Sequence, residues 1–195
     1  MYIRFLKVQP VNKWNRKRTA MRHYDSTAEM YERRYAEEQA AKYKAAIENL
    51  NVSCNSRVLD VGCGTGLFFS QVAAEAQIVV GVDISNKLLL QAKQRARRFH
   101  SIHLVQADAD YLPLISRHFN MVFAFTVLQN LPKPFKMLSE IKRNATLDAT
   151  VVVTGLKKVF SLEAFQALLK NAALRIVFLA DADALKCYVA VTVQS

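Results

Sequence analysis

Short apolar runs rich in β-branched residues alternate along the chain with stretches whose apolar positions recur every three or four residues. The runs Arg57–Val61, Ile78–Val82, Ile102–Gln106, Met121–Phe125 and Thr150–Thr154 predict strands. Helical stripes fall between or after them, at Leu88, Ala92, Ala96 and Phe99, at Phe135, Leu138 and Ile141, and at Leu162, Phe165, Leu169 and Ala172. Strands that are apolar on both faces and separated by helices indicate a doubly wound α/β fold, a mostly parallel sheet with helices on either side. The last two runs, Arg175–Leu179 and Lys186–Val193, lie too close in sequence to enclose a crossover helix. They predict an antiparallel C-terminal hairpin at one sheet edge.

A further helix precedes the first strand. Ser26 with Glu29 three residues on has capping-box spacing, which predicts a helix start near Asp25. Apolar positions at Ala36, Ala40, Tyr43, Ile47 and Leu50 define the face it would bury. The organisation read from the chain is therefore a basic N-terminal arm over residues 1–23 and one domain over residues 24–195.

Composition narrows the class. With 52% hydrophobic and 22% charged residues the chain can bury a large core, and no apolar run is long enough to span a bilayer. Three cysteines, Cys54, Cys63 and Cys187, without a C-x-x-C pair argue against a disulfide framework or a zinc site and fit a cytoplasmic location. The net charge of +11 is uneven: residues 1–24 carry seven Lys or Arg and no acid. Basic residues interleaved with Tyr2, Phe5 and Trp14 suit a polyanion such as RNA, against the plainer readings of a solvated arm, an arm folded on the body or a targeting segment.

Three of the five glycines, Gly62, Gly64 and Gly66, fall within five residues after the first predicted strand. The backbone there must turn sharply and let a ligand approach closely. The third glycine of a dinucleotide fingerprint would fall at Leu67, and no Lys-Ser/Thr follows for a Walker-type loop. Asp60 just before the loop would repel a pyrophosphate and favour a cationic amine. Asp83, 21 positions after Gly62, suits two ribose hydroxyls, and Asp108, ending the third strand, suits an exocyclic adenine amine, with Asp110 as its alternative. A nucleoside carrying an amino acid matches all three acids.

The run Val58-Leu59-Asp60-Val61-Gly62-Cys63-Gly64-Thr65-Gly66 resembles the first motif of class I S-adenosylmethionine-dependent methyltransferases. Gly81-Val82-Asp83-Ile84-Ser85 and Gln106-Ala107-Asp108-Ala109 are similar to their second-strand and adenine-side motifs. The leading helix with Tyr24, Tyr31 and Tyr35 resembles the branch that includes quinone C-methyltransferases. The resemblance implies a seven-stranded, Rossmann-like sheet whose hairpin inserts a strand between two parallel ones. It implies S-adenosyl-L-methionine as cofactor, with Asp60, Gly62, Cys63, Gly64 and Gly66 around the methionine part, Asp83 and Ile84 at the ribose, and Asp108 and Ala109 at the adenine. Phe125 or Thr126 would line the pocket, and Tyr31 and Tyr35 would cover it or simply pack the helix. Cys63 also reads as a small buried residue.

For the methyl acceptor the absences are informative. The segment after the fourth strand, Thr126-Val127-Leu128-Gln129-Asn130, lacks the Asp/Asn-Pro-Pro-aromatic motif of amide and amine methylation and a cytosine-directed cysteine. Gln129 and Asn130 are the candidates to orient the acceptor, against a loop-capping role. In-line transfer from an activated methyl needs alignment and a dry site above all, and a base only where the acceptor must lose a proton. The expected acceptor leans to tRNA or rRNA, on the basic arm and on Lys93, Arg95, Arg97 and Arg98. The alternatives are a small quinone-like metabolite, or cofactor binding without turnover. The resemblance also admits a small zinc-ribbon activator at the third-strand edge, near the apolar segment Leu112–Ile115.

Overall fold

A computed structural model describes residues 13–48 and 50–194, with some side chains of the first helix outside that description. Seven strands, β1 (Arg57–Val61), β2 (Ile78–Asp83), β3 (Ile102–Gln106), β4 (Phe119–Ala124), β5 (Ala145–Leu156), β6 (Leu174–Ala180) and β7 (Cys187–Gln194), form one sheet in the order β3-β2-β1-β4-β5-β7-β6. The first five run parallel. β7 pairs antiparallel with both β5 and β6, which inserts the hairpin strand as expected.

Because successive side chains point to opposite faces, each central strand feeds two cores. Leu59, Val61, Val80, Val122, Val151 and Val153 pack beneath α4 (Pro134–Asn144) and α5 (Leu162–Asn171). On the opposite face Val58, Val79, Phe123 and Val152 meet α1 (Lys13–Ile47), α2 (Phe69–Val72) and α3 (Asn86–Ala96). Phe68, Phe123, Phe125 and Tyr43 form an aromatic cluster there, with ring centroids 4.5–5.8 Å apart.

The front of the chain departs from the sequence reading. α1 does not begin at Asp25: it runs from Lys13 to Ile47 without a break, about 52 Å at 1.5 Å per residue. Ser26 is exposed within it. Residues 13–24 contain Lys, Arg, Ala and Met and no Gly or Pro, so helix propensity continues through the capping-box pattern. The predicted apolar face holds at Tyr43, Ile47 and Leu50, which pack on the core, but Ala36 and Ala40 are exposed, and Gln39, Lys42 and Ala46 are buried as well. Lys42 is tolerated there because its ammonium meets Glu38 at 2.8 Å and the Thr126 hydroxyl at 3.0 Å. In α4, Phe135 is about half exposed, and Met137, Leu138 and Ile141 carry the contact instead.

Phe165 anchors α5 against the hairpin. It is fully buried and stacks on Tyr188 with centroids 5.7 Å apart. Phe165→Ala is expected to cost about 3–5 kcal/mol, read as a lower urea midpoint with an unchanged slope.

Candidate cofactor site

The strand ends β1, β2, β3 and β4 open onto a cleft of about 710 Å³, partly open to solvent. Parallel register places its acids: Asp60 lies opposite Gly81 near the end of β1, and Asp83 closes β2 beside it. The cleft is lined by Gly62, Gly64, Asp83, Ile84, Asp108, Ala109 and Phe125 from the expected set, together with Thr126 and Asn130. A smaller adjoining space holds Asp60, Cys63 and Thr65, and shares Gly62, Gly64 and Phe125 with the cleft.

The loop after β1 is built to leave room. Gly64 has φ +55°, where L side chains are strained, and a Cβ there would meet nothing within 4 Å, so bare backbone faces open space at this point of the lining. Gly66 serves a different purpose. Its hypothetical Cβ would lie 2.4 Å from the Phe69 ring, so it permits close packing of α2 and lines neither space.

The electrostatics are unusual. Asp60 is 2% exposed, and its Oδ2 has no hydrogen-bond partner among the described residues. Burial first, and the nearby Asp83 carboxylate second, push its pKa up to about 8. Asp83 is raised by burial too, but it accepts hydrogen bonds from the backbone N–H of Gly64 (2.9 Å) and Ser85 (2.8 Å), which oppose the shift. The Cys63 thiol is raised well above its ordinary value by burial and by both acids, so it stays protonated and acts as a small packed residue. An orphaned, desolvated carboxylate beside a second one is a site that would gain from a bound cation. This orphaned oxygen and the open space at Gly64 fit the amino-acid end of S-adenosylmethionine.

At the end of β4, Thr126 adopts φ +61°, uncommon for a β-branched residue. Its N–H donates to Thr154 Oγ1 at 2.7 Å, and its hydroxyl accepts from Lys42. Its carbonyl accepts from the amides of Gln129 (2.6 Å) and Asn130 (3.1 Å). Both candidate acceptor residues therefore brace the Thr126 turn. Asn130 also faces the cleft, whereas Gln129 lines neither space. Tyr31 and Tyr35 lie on α1, but their side chains fall outside the described residues. Near the β3 edge, Leu112 is buried and Ile115 is exposed.

Sequence reasoning missed Lys17. Its ammonium contacts the Asp108 oxygens at 2.6 and 2.7 Å and Asp110 Oδ2 at 2.5 Å, and the residue lines the cleft. No local pattern signals a contact across 91 positions. The long-range packing of α1 creates it.

Residues 59–153 match the family model described as a methyltransferase domain. That stretch, just under half of the chain, is similar to a methyltransferase domain. The chain is 33% identical over 103 residues to the demethylmenaquinone methyltransferase of Staphylococcus saprophyticus, covering 51% of this chain and 44% of that protein. It is 29% identical over 129 residues to the malonyl-[acyl-carrier protein] O-methyltransferase of a Marinomonas species, covering 65% and 47%. The chain thus spans less than half the length of these relatives. In fold it is similar to a SAM-dependent methyltransferase from Aquifex aeolicus, with TM-score 0.77, 17% identity and coverage of 88% of this chain and 98% of that one. It is also similar to a chain from a Haloferax volcanii complex of a methyltransferase with the Trm112 activator, with TM-score 0.76, 14% identity and coverage of 87% and 96%.

In the empty protein, Asp60 is bound to its proton more tightly than in the unfolded chain. The stability this contributes is complete below about pH 4 and is lost as pH rises through about 8. Urea titrations should show wild-type stability falling by up to about 1.4 kcal/mol per pH unit more than that of Asp60→Asn across this window.

Proposed function

We propose that this domain transfers the methyl group of S-adenosyl-L-methionine to a small, largely apolar acceptor of quinone-like character. The observation that carries the cofactor half is the unpartnered, buried Asp60 oxygen beside the Gly64 opening. In this reading Asp60 and the loop backbone hold the methionine amine, Asp83 with Ile84 the ribose, and Asp108 with Ala109 the adenine. When bound, the cofactor supplies an already activated methyl, so the chain's part is alignment and exclusion of water.

The acceptor would enter where Phe125, Val127 and Leu131 give the cleft an apolar wall, with Asn130 as a polar contact and Gln129 holding the Thr126 turn in place. That wall and the small-molecule and acyl-carrier substrates named for the two sequence relatives support a metabolite. RNA draws no support from those relatives. One of the seven basic residues counted in the leading segment, Lys17, is also buried against Asp108 and Asp110. The Haloferax likeness concerns the fold alone, so an activator subunit enters no step of this reading.

A labelled-methyl transfer assay against RNA, protein and lipid-soluble extracts should place the label in the lipid-soluble fraction. Label in RNA would overturn the acceptor. Asp60→Asn should weaken S-adenosylhomocysteine binding about 10–100-fold, the loss of one charge-assisted contact. Wild-type binding at pH 7 should release a proton, seen by calorimetry as a heat that depends on the buffer's ionisation enthalpy. A buffer-independent heat would contradict the role of Asp60.

A further inference from the structure

The adenine end of the cleft already holds a donor. Lys17, on the first turns of α1, is only 7% exposed through its side chain. Its ammonium sits between Asp108 and Asp110, whose side chains are 19% and 8% exposed. The Asp110 N–H donates to Asp108 Oδ1 at 3.0 Å, which fixes the two carboxylates around that ammonium. Eight residues on, Asp25 accepts a short hydrogen bond from the hydroxyl of Ser85, the residue that caps α3 two positions after Asp83. The start of α1 is thus fastened directly at Asp108 and, through Ser85, two positions from Asp83, by two contacts of different chemistry.

We propose that Lys17 is a built-in competitor for the adenine subsite, and that the N-terminal end of α1 unfastens when the cofactor seats. This rests on the cofactor reading above, in which Asp108 accepts from the adenine amine. A neutral exocyclic amine and an ammonium seek the same carboxylate, and the charge-assisted bond is roughly twice as strong. The nucleoside therefore cannot displace Lys17 by that contact alone. The contacts at Asp60 and Asp83 must drive release, which couples occupancy of the methionine end to opening of the helix start. The coupling lowers the apparent affinity by the fraction of chains already open.

Two measurements on the full chain test this. With S-adenosylhomocysteine as the probe, calorimetry should show Lys17→Met binding about tenfold more tightly than wild type, as for a latch closed in about nine chains of ten. Asp110→Asn, which weakens the latch without touching Asp108, should give a smaller gain in the same direction. Hydrogen exchange on the wild type should be faster over residues 15–22 when the probe is bound. Equal or weaker binding by both variants, or slower exchange over that segment, would overturn the latch while leaving the cofactor reading intact. If neither wild type nor Lys17→Met binds the probe, the cofactor reading fails and the latch fails with it.

Discussion

Two carboxylates withdrawn from water at the ends of adjacent strands are the constraint on which the rest of this molecule turns. Parallel pairing of β1 with β2 sets Asp60 opposite Gly81, two positions short of Asp83 on the neighbouring strand, and the packed surroundings bury Asp60 while Asp83 lines the cleft. Asp83 is partly compensated by two backbone N–H groups, whereas one oxygen of Asp60 has no partner among the described residues. A buried acid so poorly satisfied costs the fold stability, and in the proposed reading a bound cation would offset that cost. In the same reading this asymmetry would favour a ligand with a positive end over a phosphate at the space that holds Asp60.

The glycine loop and the turn at Thr126 are the mechanical counterparts of that electrostatic demand. Gly64 leaves the backbone bare toward open space, and Gly66 lets the Phe69 ring of α2 pack against the loop. Across the cleft, Thr126 is held by its N–H, its hydroxyl and its carbonyl, so an uncommon backbone conformation is fixed from three directions. Lys42 takes part through a fully buried ammonium, which links α1 to the end of β4. α1 therefore belongs to the site twice: through Lys42 near its C-terminal end and through Lys17 near its start.

Much of this was legible in the sequence, for identifiable reasons. The central strands are apolar on both faces, and their alternation with amphipathic stretches marks every strand of the sheet. The G-x-G-x-G spacing with Asp60, Asp83 and Asp108 points to the acids that line the cleft and its adjoining space, because each lies at or near a strand end, where local pattern and position in the fold coincide. What was not legible depends on tertiary contact. The face that α1 buries includes Gln39 and Lys42, polar residues that no hydrophobic periodicity finds. The capping pattern at Ser26 was overridden by continuous helix propensity and by docking at Lys17 and Asp25. Gln129 and Asn130 drew attention as polar side chains near the acceptor, yet their amides turn back to the Thr126 carbonyl.

The ionisation of the Asp60 carboxyl is where the electrostatics of this site can be measured most directly. Carbon-13 NMR of the Asp60 carboxyl, assigned by comparison with Asp60→Asn, would follow its titration in the free and ligand-bound protein. The expected midpoint is about 8 without ligand, with the carboxylate ionised throughout roughly pH 5–9 once S-adenosylhomocysteine is bound. A midpoint in the ordinary aspartate range, unmoved by the ligand, would contradict this expectation.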